Sequence, residues 1–240
     1  MAGDPVEDAR RLVDARPDDG EAWHELGAAL LEFDRLGEAA DAFARAAELR
    51  PQEAAPLIDL AHSRFATGQL DLALLTIQEA VAREPRNASA LFSTVELSRM
   101  AGRPEEALTA ARQIVEAQPD DVSAILDVAE LSLELGKLDD ASSAFASLRG
   151  VEEDPEHEIY AFHGLIEVEL RREEWRRALD LAVEAARADR YGRTTDLLAF
   201  ATAQVFGARD RPAPSRDEVD AALAASRAEH RRLHAEQLAI

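Results

Sequence analysis

The sequence predicts an all-α fold, a solenoid of stacked helix pairs, and three observations carry that prediction. Apolar residues return at a step of 34: Trp23, Leu57, Leu91 and Ile125 form one register, Ala39, Ala73, Ala107 and Ala141 a second, and Phe43, Ile77, Ala111 and Phe145 a third. A period of this length marks a supersecondary unit that buries its apolar face only by stacking on its neighbours. Within a step, Trp23, Leu26, Gly27 and Leu30, and then Ala39, Phe43, Ala46 and Ala47, are spaced by three and four, the spacing of one helix face. Gly68, Gly102 and Gly136 punctuate the middle of three units, and Pro51, Pro85 and Pro119 close three.

The elements follow in order. In residues 1–18, Val6, Ala9, Leu12 and Val13 read as one helix stopped by Pro17, the second helix of a unit without its first. Helix pairs are then expected over 19–53, 54–87, 88–121 and 122–155. Asp19, Asn87 and Asp121 stand where the next helix needs a side-chain oxygen to accept from its unpaired N–H groups. The three glycines supply the left-handed conformation that ends a first helix, and the three prolines cannot continue a second one. Gly27, Ala61, Ala129 and the four alanines of the second register let helices approach closely. Enlarging one should overpack the contact and cost about 1 to 3 kcal/mol. A fifth unit over 156–190 carries a slip of three residues, with Phe162, Leu165, Trp175 and Ala178 standing where Ile125, Val128, Leu138 and Ala141 stood. The slip falls in the acidic connector 151–156. A divergent capping unit is expected over 191–240, its last helix opened by the capping box Ser215-Arg216-Asp217-Glu218. The whole of 1–240 then reads as one solenoid.

The first unit, Trp23-x-x-Leu26-Gly27-x-x-Leu30 followed by Ala39-x-x-x-Phe43 and Pro51, resembles the tetratricopeptide repeat (TPR), with Leu30 in place of the usual Tyr. Later units drift: Leu or Ile replaces Trp23, and Ala61, Val95 and Ala129 replace Gly27. The resemblance implies a right-handed α-α superhelix whose first helices line a concave groove, and a scaffold or adaptor that binds a peptide or a partner's helix. Some members of that family grip an acidic chaperone tail with Lys, Arg and Asn side chains. Here the corresponding stations are acidic or apolar, with Arg99 and Arg171 the basic ones, which speaks against that mode.

Composition narrows the partner. The 240 residues hold 48 acids and 27 bases, a formal charge of −21. Nucleic acid and anionic membranes are therefore poor partners, and a basic protein or peptide a better one. There is no cysteine, and so no disulfide or thiolate site. No secretory leader and no run of about 18 apolar residues is visible, so a soluble cytoplasmic protein is expected. No P-loop, dinucleotide fingerprint, nucleophile elbow or His-Glu-x-x-His string is present. His230 and His234 are spaced to share a metal but lack a third ligand. No catalytic residue, metal or cofactor is predicted.

Stacking makes residues one period apart into neighbours, so the groove reads as columns on the first helices. One runs His24, Ile58, Phe92, Leu126, His163; the next Glu25, Asp59, Ser93, Asp127, Gly164; a third Ala28, His62, Glu96, Glu130, Glu167. Beyond them lie Leu31, Phe65, Arg99, Leu133, Leu170 and then Glu32, Ala66, Met100, Glu134, Arg171. The candidate partner-binding residues are His24, Glu25, Ile58, Asp59, His62, Phe65, Phe92, Glu96, Arg99, Leu126, Asp127, Glu130, Glu134 and Glu167. Apolar and acidic columns side by side suit an amphipathic segment with aliphatic anchors on one side and Arg or Lys on the other. The plainer roles for the same positions are hydrogen-bonded histidines, solvated carboxylates, and Leu31, Phe65, Leu133 and Leu170 packed on the next unit.

Charge is uneven. Residues 161–240 hold 14 acids and 13 bases, leaving 34 acids and 14 bases for residues 1–160. Arginines cluster behind, at Arg171, Arg172, Arg176, Arg177, Arg187, Arg190 and Arg193. A second reading is therefore a homo-oligomer in which the acidic front of one copy meets the Arg-rich back of another. A third is an enzyme with a site between units around His62, Glu96 and Glu130.

Overall fold

The computed structural model describes residues 4–149 and 155–188, and among them the chain is an all-α helical-repeat solenoid with no strand. The helices are α1 (Pro5–Ala15), α2 (Gly20–Glu32), α3 (Leu36–Leu49), α4 (Ala55–Ala66), α5 (Leu70–Arg83), α6 (Ala88–Met100), α7 (Pro104–Ala117), α8 (Val122–Glu134), α9 (Leu138–Ser147), α10 (Pro155–Arg171) and α11 (Trp175–Ala188). They divide into two compact units, residues 1–124 and 125–240.

In the first unit each helix packs on the next, from α1 through α7. Asp4 starts α1 by accepting from the Val6 N–H at 3.0 Å, with Pro5 in the first turn, and the helix buries Val6 and Val13. Asp19 caps α2 through the Glu21 N–H at 3.0 Å, Asn87 caps α6 through Ala90 at 3.0 Å, and the Ala124 N–H donates to Asp121 at 2.9 Å. The small-residue registers close the helix crossings: Ala39, Ala61, Ala73 and Ala107 are wholly buried. Gly27 lies on the ring of Phe43, where a Cβ would stand 2.6 Å from a ring carbon, so the α2–α3 crossing admits no side chain there.

Each first helix that starts a helix pair ends in the same way. Asp34, Gly68, Gly102, Gly136 and Glu173 have φ of 58°, 78°, 66°, 69° and 67°. The residue after each donates its N–H five positions back: Arg35 to Leu30, Gln69 to Arg64, Arg103 to Ser98, Lys137 to Ser132 and Glu174 to Glu169, at 2.8 to 3.0 Å. This is the Schellman closure, which occupies carbonyls that the helix end would leave unpaired. The three glycines hold the left-handed position that the sequence assigns to them, and an aspartate and a glutamate hold it in the other two turns. The prolines fall one residue beyond the caps Arg50, Glu84 and Gln118 of α3, α5 and α7.

The α4 terminus is built differently. Ala54 precedes the helix and has no side chain to cap it. Its N–H donates instead to Oε1 of Glu84, at the end of α5, at 2.6 Å, while Asn87 Nδ2 donates to the other Glu84 oxygen at 2.9 Å. These bonds, Asn87 first and the Ala54 N–H second, hold the Glu84 carboxyl below the usual carboxylate range. Next to it, Arg83 Nη1 donates to the carbonyls of Ala47, Arg50 and Glu53 at 3.1, 3.2 and 3.3 Å, covering the end of α3.

In the second unit α10 packs on both α9 and α11. Phe145, Phe162, Ile166, Ala178 and Ala182 are buried. A Cβ on Gly164 would stand 2.3 Å from the Phe145 ring, so α10 lies directly on that ring. The Arg149 guanidinium covers the Phe162 ring at 4.4 Å, and Arg172 bridges Glu169 at 2.6 Å and Asp139 at 2.5 Å. The capping unit expected over 191–240, with its box at Ser215 and the pair His230 and His234, lies outside the described residues. So do Arg190, Arg193 and most of the acidic connector, and the Arg187 side chain is likewise not described.

Candidate functional site

The first helices of the first unit, α2, α4 and α6, are joined by side-chain bonds between columns. His24 Nε2 lies 2.7 Å from Asp59 Oδ2, joining α2 to α4, and His62 Nε2 lies 2.8 Å from Ser93 Oγ, joining α4 to α6. The two bonds span 35 and 31 positions, close to one period, and each runs between neighbouring columns of successive first helices. The Asp59 hydrogen bond leads in raising the His24 pKa above its ordinary value. Burial opposes it, the negative charges of Asp59 and Glu21 add to it, and Arg50 works against it.

On this face Glu25, His62, Glu96 and Arg99 are exposed, and His24, Asp59, Phe65 and Phe92 half-buried. Ile58 is 8% exposed and belongs to the hydrophobic core, with Leu31 and Phe65 packed against that core. Ile58, Leu31 and part of Phe65 therefore support the fold from beneath, while Phe92 stands half-buried and Met100, in the outermost column, is exposed. The outer face of α5 shows Leu72 and Leu75 instead, a second-helix surface that a reading confined to first helices misses.

The second unit holds Leu126, Asp127 and Glu130, all half-buried, together with Glu134, exposed, and Glu167, half-buried. Three of these, Glu130, Glu134 and Glu167, stand on the rim of a cleft of about 300 Å³. Leu133, Phe145 and Gly164 form its apolar floor, Tyr160 one wall, and His163 and Arg171 the rest. The Tyr160 hydroxyl donates to Glu130 Oε1. Arg171 Nη2 donates to Glu167 Oε1 at 2.6 Å and its Nη1 to the Leu133 carbonyl. Sequence reasoning missed Tyr160. The signal was an aromatic residue at a first-helix position where the other units have Glu21, Ala55, Ser89 and Ser123.

Among the described residues no group of three His, Asp or Glu side chains is placed to hold a metal, and no helix is long and apolar enough to cross a membrane. His62, the histidine of the enzymatic reading, meets the Ser93 hydroxyl.

Stacked helix pairs with small residues buried at their crossings define a helical-repeat protein. Tetratricopeptide-repeat family models match residues 6–54 and 58–122, and a second one residues 98–166. The chain belongs to the tetratricopeptide repeat family. Among solved structures it is similar to YrrB, described as a TPR protein with an unusual peptide-binding site, at 20% identity, covering 75% of this chain and 91% of that one with a TM-score of 0.63. It is also similar to a tetratricopeptide repeat protein from Parabacteroides merdae, at 16% identity, 92% and 90% coverage and a TM-score of 0.54. MamA matches at 16% identity, 70% and 89% coverage and a TM-score of 0.52. At these identities the likeness is one of fold. No curated protein matches the sequence. Proteins of this family generally mediate protein–protein interactions, and the fold is typically a non-enzymatic scaffold.

Proposed function

We propose that this chain is a non-enzymatic scaffold or adaptor whose first-helix face binds a basic, amphipathic peptide or helix of a partner protein. The observation that carries the reading is the face of the first unit, where exposed Glu25 and Glu96 flank half-buried Asp59, Phe65 and Phe92. Acidic stations beside apolar ones complement a segment with Arg or Lys on one side and aliphatic anchors on the other. The peptide-binding site of YrrB, a protein of the same fold, lends the reading support. Negative charge concentrated ahead of residue 161 would steer such a ligand, and apolar contact would hold it. Of the arginines behind, Arg171, Arg172 and Arg177 meet carboxylates of their own unit, which leaves those three engaged within the chain.

The test is binding to matched amphipathic peptides that carry either Arg or Glu at their polar positions, measured by surface plasmon resonance at increasing salt. Arg peptides should bind and weaken steeply with salt. Glu25→Lys with Glu96→Lys should slow association roughly tenfold while thermal stability stays within about 0.5 kcal/mol, since both side chains are exposed. These positions serve better than Asp59, whose reversal would also break its bond to His24. Equal binding of Arg and Glu peptides would overturn the reading.

A further inference from the structure

The cleft of the second unit combines three features that point to one kind of side chain. Its floor is apolar, formed by Leu133, by Phe145 at 2% exposure, and by Gly164, whose missing Cβ leaves the Phe145 ring open to α10. Its wall is the Tyr160 ring, 44% exposed and set at 50° to the Phe145 ring with centroids 6.4 Å apart. Its rim carries three carboxylates against one guanidinium. Two of the carboxylates are already engaged: Glu130 accepts from the Tyr160 hydroxyl and Glu167 from Arg171. Glu134 makes no hydrogen bond or ion pair with any described residue.

We propose that this cleft seats a single arginine side chain of the partner, its guanidinium stacked on Tyr160 and paired with Glu134. The inference rests on the reading of the chain as a binder of basic peptides and names the residue that the second unit selects. A cleft of about 300 Å³ is small for a ligand site and suits one long side chain. The methylene stem of arginine lies on the apolar floor while its head stays at the rim. A planar guanidinium stacks on an aromatic face and binds a carboxylate with two parallel N–H groups. Lysine offers a strongly hydrated point charge with neither geometry, so arginine is preferred to lysine. An anion would meet a net excess of carboxylates.

The experiment titrates the full-length, ¹⁵N-labelled protein with the N-acetyl methylamides of arginine, lysine and citrulline, the last a neutral isostere of arginine, and follows amide shifts. The arginine compound should shift the amides of Glu134, Tyr160 and Gly164 saturably, the lysine compound should bind at least roughly threefold more weakly, and the citrulline compound should not saturate. Glu134→Gln should weaken arginine binding roughly fivefold or more, a loss of about 1 kcal/mol. Tyr160→Leu should weaken it while keeping the wall apolar. Glu134 is exposed, so its variant keeps the fold. Equal binding of arginine and citrulline, unchanged affinity in Glu134→Gln, or shifts spread without saturation over all the carboxylates would each overturn the proposal. Arg peptides that bind at the first unit with the salt dependence above, beside a cleft indifferent to arginine, would leave the proposed function standing and remove this site. Arginine seated in the cleft of a protein that ignores every peptide would do the reverse.

Discussion

Gly37 and Gly102 show how much one backbone angle decides. A Cβ added at either would meet nothing within 4 Å. Gly37 lies in the first turn of α3, while Gly102 has φ 66°. Alanine at 37 lowers the entropy of the unfolded chain and favours the helix, so Gly37→Ala should stabilise by roughly 0.5 kcal/mol. Alanine at 102 must enter the left-handed region, so Gly102→Ala should destabilise by about 1 kcal/mol or more. Thermal denaturation of the pair checks this, and equal shifts in Tm would refute it. The turn glycines were legible in the sequence because glycine is the usual left-handed residue. Asp34 and Glu173 were not, since neither residue type announces that conformation. His24 carries the second prediction at this scale. Its pKa is raised by Asp59, so the bond stabilises fully below the ordinary histidine value of about 6.5 and is lost as pH rises through the elevated one. An NMR titration should find the His24 pKa above that value in the native chain and lower in Asp59→Asn. The same pKa in both would contradict the assignment.

At the scale of elements, the junction of the first two repeats depends on two adjacent side chains at the end of α5. Arg83 covers carbonyls at the end of α3, and Glu84 reaches the N-terminus of α4 and the cap of α6. The Arg83 side chain is 16% exposed, so removing it takes the guanidinium donor from the Ala47 and Glu53 carbonyls, while the Arg50 carbonyl keeps the Glu53 N–H. Arg83→Met, which keeps the stem, should destabilise by about 1 to 2 kcal/mol in urea denaturation. An unchanged midpoint would show that water replaces the guanidinium freely. The sequence displayed Asp19, Asn87 and Asp121 as caps because each acts on the helix beside it. It hid Arg83 and Glu84 because the backbone groups they satisfy are 30 to 36 residues away. Where α4 has only Ala54 before it, the missing local cap was the one hint that a distant group must supply the bond.

Taken whole, the molecule pairs a fold readable in one dimension with a surface that is not. A helical repeat is stabilised by neighbour on neighbour, so a period of 34 suffices to name the stacking partners. The charge of −21 and its concentration ahead of residue 161 were likewise sums over the sequence, and they set the salt dependence expected of a basic ligand. The columns were also legible, as far as which residues stand side by side. Their depth was not: Ile58 and Phe92 share a column, yet Ile58 is buried in the core and Phe92 stands half-exposed. The sequence by itself determined the helical repeat and the glycine and proline stops between its helices, because spacing, glycine and proline act on nearby backbone. The tertiary structure alone decided which column residues are spent on the core, which histidine meets which partner, and that Tyr160, Phe145 and Glu134 converge on one cleft. Such convergence depends on how far each helix sinks onto its neighbour, and at Gly164 that depth is set by a side chain that is absent.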